Sequence, residues 1–185
     1  MQIDDTPLAG LKLLTPTRFR DARGFFCESW NRSRMASVGL DYDFVQDNHS
    51  FSARKGTLRG LHYQSPPHVQ AKLVRCGRGR LWDVAVDVRA GSSTYGQWFG
   101  AELSFENGRQ MVIPAGFLHG FVTLDDDVEI IYKCTDFYAP GCDGTVAWNS
   151  CGIKWPLDGT PVLSDKDAVA PPLSVLNSPF TNEAL

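Results

Sequence analysis

Alternation of apolar and polar side chains is the pattern that most restricts this chain. In Leu81–Arg89, Trp82, Val84, Val86 and Val88 fall on one face of an extended strand and Asp83, Ala85, Asp87 and Arg89 on the other. That is the period of two imposed by a pleated strand. Charged residues on one side of an otherwise apolar strand predict a sheet with one dry face and one polar or solvated face. The rest of the chain is cut into short pieces. Its 17 glycines and 11 prolines are spread along 185 residues rather than pooled in a linker, which suits many short strands joined by turns. Gly77-Arg78-Gly79 reads as a hairpin turn out of Lys72–Cys76. Gly96–Leu103, Gln110–Ile113, Gly120–Leu124 and Val128–Cys134 read as further strands. Asn107-Gly108, Pro114-Ala115-Gly116 and Asp125-Asp126-Asp127 supply turn chemistry beside them. One short helix is predicted over Arg32–Val38, stopped by Gly39. The Pro-rich tail after Asp158, with Pro171-Pro172, reads as irregular structure packed on the outside.

Many short strands at regular spacing predict an all-β sandwich or barrel, here of one domain over residues 1–185. With 43% hydrophobic residues the chain carries enough apolar material for a sizeable core. A small antiparallel barrel also encloses a cavity on which side chains from several strands converge. The formal charge of -3 gives no general attraction to nucleic acid or to anionic membranes, so an anionic ligand must be held by a local cluster of Arg and Lys. No apolar run approaches the roughly 20 residues needed to span a bilayer. The segment Met1–Asp5 lacks the basic and then apolar parts of a secretory signal. Cys27, Cys76, Cys134, Cys142 and Cys151 are odd in number and include no C-x-x-C, and they read as reduced thiols in a cytoplasmic protein.

Three segments carry candidate chemistry. In Gly56–Lys72, G-T-L-R-G-L-H-Y-Q-S-P-P-H-V-Q-A-K, an extended chain lets His62, Gln64 and Lys72 face one side, with Pro66-Pro67 interrupting the register. A lone histidine is most often a hydrogen-bonded core residue. Arg59 and Lys72 nearby argue for more, because clustered buried cations need an anionic partner such as a phosphate. In Ile113–Phe121, I-P-A-G-F-L-H-G-F, His119 either caps a hairpin strand or contacts a ligand, and the residues alone favour neither. In V-E-I-I-Y-K-C, alternation places Tyr132 with Val128 and Ile130 and away from Lys133; such a tyrosine is core unless its hydroxyl meets a polar cavity. His49, His62, His68 and His119 lack the spacing of a metal site, and none is expected. A dinucleotide fingerprint, a P-loop and a serine-hydrolase elbow are all missing. Proton transfer by His, Tyr, Lys and Asp is the chemistry left.

The ordered series F-R-D-A-R-G-F-F-C-E at Phe19–Glu28, Q-D-N-H-S-F-S at Gln46–Ser52, the Gly56–Lys72 segment, D-V-A-V-D-V-R at Asp83–Arg89, I-P-A-G-F-L-H-G-F, Y-K-C-T-D-F-Y-A-P at Tyr132–Pro140 and L-S-D-K-D at Leu163–Asp167 resembles the dTDP-4-dehydrorhamnose 3,5-epimerase family. The likeness runs from about Leu11 to about Asp167. It implies a cupin-like antiparallel β-barrel, a jelly roll with a few short helices. The barrel core would span about residues 45–140, with N-terminal strands and the C-terminal tail around it. The substrate implied is a dTDP-linked 4-keto-6-deoxy sugar, whose C4 ketone acidifies the C3 and C5 protons. By resemblance His62 is the base, Asp167 its dyad partner, Tyr132 the acid on the opposite face and Lys72 the cation beside the enolate oxygen.

The same likeness makes Arg23, Glu28, Gln46, Asn48, Arg59, His119, Tyr138, Asp143 and Lys166 substrate contacts, with Tyr138 stacking on thymine and the arginines suited to the diphosphate. It further implies a homodimer in which an N-terminal strand crosses to the partner, and no metal or organic cofactor. Asp83 is expected, from the strand pattern, to hold Lys72. The chain departs from the family pattern in having Asp143 where Glu is common and in a shorter Gly144–Pro156 segment. At this rim a sibling inverting only C3 or C5 of a related keto-sugar would differ; a non-catalytic sugar-binding barrel is the reading outside enzymology.

Overall fold

The computed structural model describes residues 1–181. Thirteen strands follow in order: β1 (Gln2–Asp5), β2 (Lys12–Thr15), β3 (Phe19–Asp21), β4 (Gly24–Phe26), β5 (Gln46–Ser52), β6 (Leu58–Gln64), β7 (Lys72–Arg78), β8 (Arg80–Asp87), β9 (Trp98–Ser104), β10 (Gln110–Ile113), β11 (Phe117–Thr123), β12 (Val128–Cys134) and β13 (Asp143–Thr145). Among the described residues helices are confined to α1 (Arg32–Ala36), α2 (Asp165–Ala168) and two single 3-10 turns. Asn31 caps α1 by accepting from Arg34 N, and beyond it Gly39 takes φ 84° while Leu40 N donates back to Met35 O. The helix therefore ends where Gly39 predicts, two residues short of the expected Val38 in regular geometry.

The strands form a six-stranded sheet, β1-β2-β10-β7-β12-β5, a five-stranded sheet, β13-β6-β11-β8-β9, and the separate β3–β4 hairpin. Every ladder between these strands is antiparallel. The expected all-β architecture holds, but no ladder joins the two large sheets, so the barrel is open: a sandwich rather than a closed cylinder. Val74, Ala85, Leu103, Met111, Phe117, Phe121 and Ile130 fill the space between the sheets.

Two expectations change. Gly77-Arg78-Gly79 does not make a hairpin. β7 and β8 belong to different sheets, and Gly79, at φ 74°, carries the chain across the sandwich between them. Nor does β8 have a solvated side. Asp83 and Asp87 point inward and are fully buried, while Val84, Val86 and Val88 are covered on the other side by Val146, Cys151 and Phe180 from the C-terminal tail. The tail is irregular and packed outside, as expected. It is tied down by Ala147 N donating to Pro171 O and by Ala90 N donating to Phe180 O. On the outer face of the other sheet, α1 and its flanks cover Leu14, Leu73 and Val112 with Met35 and Leu40.

Candidate active site

The central strands of the two sheets bring His62, Lys72 and Tyr132 to one cleft of about 350 Å³. His62 lies on β6, where alternation is interrupted next to Gly60. Gly60 has φ 131°, and a Cβ on it would stand 2.6 Å from Gly120 Cα. Only glycine allows β6 and β11 to approach this closely, and the ladder shifts register between His119 and Phe121 at the same place. That approach seats His62 directly opposite His119 on the sheet.

Asp167 completes the first pair. It sits in α2, where Ser164 caps the helix by accepting from Asp167 N at 3.2 Å. Asp167 Oδ1 lies 2.6 Å from His62 Nε2, and Gly60 N is 3.5 Å from Oδ2. Only 3% of Asp167 is exposed. Burial pushes its carboxyl up, but the hydrogen bond and charge of His62, with Ser164 and Gly60, outweigh that and hold it below the usual carboxylate range. An ionised Asp167 fixes the hydrogen on His62 Nε2 and leaves Nδ1 as the free lone pair.

Across the cleft, β12 presents Tyr132 on the inner face with Ile130 and Val128, as alternation predicts, while Lys133 turns out to pair with Asp47 at 2.7 Å. Burial, reinforced by Cys134 and Asp143, outweighs the opposing charge of Arg59 and raises the Tyr132 phenol above its ordinary value. The phenol therefore carries its proton at neutral pH. Lys72 opens β7 and stands beside Cys134 in the ladder. Burial pulls its ammonium pKa down, partly offset by Cys134, Asp143 and Asp83. No carboxylate of the described residues lies within ion-pair distance of Lys72, so the cation is available to a developing oxyanion.

The expected Asp83–Lys72 contact is not made. Asp83 Oδ1 instead meets His119 Nε2 at 2.7 Å, both groups being buried. Asp83 and His119 share the inner face of adjacent strands, two residues apart in register, and that short diagonal decides the pairing. His119 is thus neither a strand-end cap nor part of the cleft wall; it backs His62 from the next strand.

Gln46, Asn48, Tyr138, Asp143 and Lys166 line the same cleft as His62. Gln46 Nε2 donates to Asn48 Oδ1 at 3.1 Å, and Gln46 Oε1 accepts from Tyr138 N at 2.8 Å. Tyr138 is 57% exposed, with its hydroxyl donating to Asp143 Oδ2 at 3.1 Å, and Lys166 closes on the same carboxylate. The shorter acid at position 143 therefore reaches both rim partners. Gln64 Oε1 and Nε2 hold Ala139 N and Phe137 O, which orients the loop segment carrying Tyr138.

Besides His119, three expected contacts stand elsewhere. Arg59 donates to Phe51 O and Ser52 Oγ at the open edge of the sandwich. Arg23 is at the tip of the β3–β4 hairpin, paired with Asp21, and Glu28 is paired with Arg34. Neither Arg23 nor Glu28 reaches the cleft of its own chain. Gln70, one of the candidate side chains of the Gly56–Lys72 segment, lines the cleft as well; Tyr63 and Cys134 escaped the sequence reading, although Tyr63 lines the cleft and Cys134 abuts Lys72. For Cys134 the signal was present, since it lies two residues from Tyr132 on the same face. Among the described residues no three His, Cys, Asp or Glu side chains cluster as a metal ion requires, and no helix is long and apolar enough to cross a membrane.

A half-buried histidine held by a buried aspartate, sharing one cleft with a proton-bearing tyrosine and an unpaired lysine on an antiparallel sandwich, suits the enzyme class that moves protons on carbon next to a carbonyl. Comparison with known proteins makes the class specific. The family profile described as dTDP-4-dehydrorhamnose 3,5-epimerase matches residues 5–174. The chain belongs to this epimerase family. It is 49% identical over 174 residues to the dTDP-4-dehydrorhamnose 3,5-epimerase of Salmonella typhimurium, covering 92% of this chain and 94% of that protein. With the Pseudomonas aeruginosa enzyme of the same name it shares 54% over 158 residues, 84% of this chain and 86% of that one. The crystal structure of the dTDP-6-deoxy-D-glucose-3,5-epimerase of Legionella pneumophila in complex with dTDP-4-keto-L-rhamnose aligns with a TM-score of 0.91 at 45% identity, covering 95% of this chain and 94% of that one.

Proposed function

We propose that this protein inverts C3 and C5 of dTDP-4-keto-6-deoxy-glucose, in the formation of rhamnose-type deoxysugars in the cytoplasm. The observation that carries the reading is the opposition of His62, backed by Asp167, to Tyr132 across one cleft that also holds Lys72. His62 Nδ1 takes the proton from the carbon next to the ketone. The negative charge moves to the ketone oxygen as an enolate, where the Lys72 ammonium stabilises it. Tyr132 then gives its proton to the opposite face of the carbon, and the centre is inverted. Burial that keeps the phenol protonated and weakens hydration of the ammonium suits both to these roles. The steps use no cofactor, because no electrons leave the sugar.

Tyr138 stacks on the thymine and, with Gln46, Asn48, Asp143 and Lys166, holds the nucleotide end. Arg59 at the sandwich edge meets the diphosphate. The placement of Arg23 and Glu28 outside their own cleft supports a homodimer in which the N-terminal hairpin delivers them to the cleft of a second copy.

Incubation of the sugar nucleotide with the protein in deuterated water tests the reading. Deuterium is expected at both C3 and C5, and to be lost in His62→Ala while dTDP still binds. Exchange at one carbon only would identify a single-centre epimerase, and binding with no exchange in the wild type would leave a sugar-binding protein.

A further inference from the structure

The proposed reaction needs the Lys72 ammonium held beside the ketone oxygen and yet free of a counter-ion. In the sheet Lys72 lies directly between Ile113 of β10 and Cys134 of β12. Ile113 offers only hydrocarbon, so the Cys134 thiol is the polar side chain opposite Lys72 in the ladder. A line of hydrogen bonds reaches that thiol from the nucleotide end of the cleft, and its polarity is set where it starts. A backbone N–H can only donate. Tyr138 N donates to Gln46 Oε1 at 2.8 Å and so sets which end of that amide faces it. Gln46 Nε2 then turns to Asn48 and donates to Oδ1 at 3.1 Å. That leaves Asn48 Nδ2 to donate to Cys134 Sγ at 3.6 Å. The sulfur is an acceptor, and it is uncharged: burial raises the thiol pKa against the opposing pull of the Lys72 charge and the Asn48 hydrogen bond. A neutral sulfur draws the ammonium weakly, where a carboxylate would neutralise it.

We propose that Cys134 is a positioning residue, which holds the Lys72 ammonium in place for the enolate oxygen and is itself fixed by the line Tyr138–Gln46–Asn48. The inference rests on Lys72 being the cation of the proposed reaction. Cys134 is 1% exposed and forms no part of the cleft wall, so it acts on the sugar only through its neighbours. The line begins at the residue that stacks on the base and ends beside the cation at the ketone. Contacts made at the nucleotide end therefore brace the reacting end.

Cys134→Val puts hydrocarbon in place of the acceptor, Cys134→Ala does so without adding bulk, and Cys134→Ser restores an acceptor. For each, kcat and KM for C3 and C5 exchange are measured by NMR in deuterated water with dTDP-4-keto-6-deoxy-glucose. The measurements are made in the wild type and in a Lys72→Met background, with folding checked by thermal unfolding. In Cys134→Val and Cys134→Ala kcat is expected to fall about tenfold, the rate equivalent of one hydrogen bond, at unchanged KM. Cys134→Ser stays within about threefold of wild type. In the Lys72→Met background the same two substitutions lower the rate no further, because residues acting as a unit are not additive. The same loss repeated in that background would overturn the proposal, since altered packing alone acts in both. So would an unchanged kcat in folded Cys134→Val and Cys134→Ala, or a serine variant no better than the alanine one. A loss carried by KM would also overturn it, placing the thiol's effect in ligand binding through Asn48. Lys72→Met separates the two ideas: wild-type exchange in it removes the cation from the reaction, whereas slow exchange in it with additive Cys134 effects removes only the positioning.

Discussion

Replacing Asp167 by Asn isolates the charge of the dyad. The carboxylate lies 2.6 Å from His62 Nε2 and is 3% exposed, so water does little to screen it. Opposite charges about 4 Å apart at an effective dielectric of about 20 attract by about 4 kcal/mol. That attraction exists only when His62 is protonated, which is the state formed as the C–H bond breaks. An asparagine oxygen still accepts from Nε2 and recovers about 1 kcal/mol as a neutral hydrogen bond. The net loss of about 3 kcal/mol in the transition state predicts a kcat about 100-fold lower. KM should hold, because Asp167 stands behind His62 and outside the cleft wall. The assay is the rate of C3 and C5 hydrogen exchange by NMR in deuterated water across substrate concentrations. A kcat within about threefold of wild type, with the fold intact by circular dichroism, would refute the electrostatic reasoning and leave Asp167 as an orienting group only.

Tyr132→Phe removes the acid and keeps the base. Inversion should fall by about 100-fold or more, while wash-in of deuterium with retained configuration persists, read by NMR of the recovered sugar. Asp87 offers a pH prediction. Its carboxyl accepts from Arg89, Ser92 and Thr94. Although burial pushes it up, these bonds hold its pKa down at about 2 against an ordinary 3.8. A folded pKa below the unfolded one adds stability above the unfolded value that is lost as pH falls through the folded one. Asp87→Asn should therefore cost about 2 kcal/mol at neutral pH and little near pH 2, measured by urea unfolding at the two pH values. Gly60→Ala adds a Cβ 2.6 Å from Gly120 Cα at a φ of 131°. It should destabilise the protein by at least about 2 kcal/mol and reduce activity through His62, checked by thermal unfolding and exchange rate together.

Alternation along single strands was legible without a structure. It told the inner side of β12, with Tyr132, from the outer side, with Lys133, because successive residues of a pleated strand must point to opposite faces. It also grouped His62, Gln64 and Lys72. Glycines marked real turns at Gly39, Gly108 and Gly116, where positive φ is required. The dyad was not legible in the same way: 105 residues separate His62 from Asp167, and no local rule spans that distance, so only family likeness pointed to it.

Tertiary structure decided which elements meet. It put β7 and β8 in opposite sheets, buried both faces of β8 beneath core and tail, and gave Asp83 to His119 instead of Lys72. It also left Arg23 and Glu28 away from the cleft they were expected to share. The physical reason is common to all of these. Side-chain periodicity is set by backbone geometry within a few residues, whereas sheet membership and charge pairing follow from long-range ladders and packing, where many arrangements of the same strands compete.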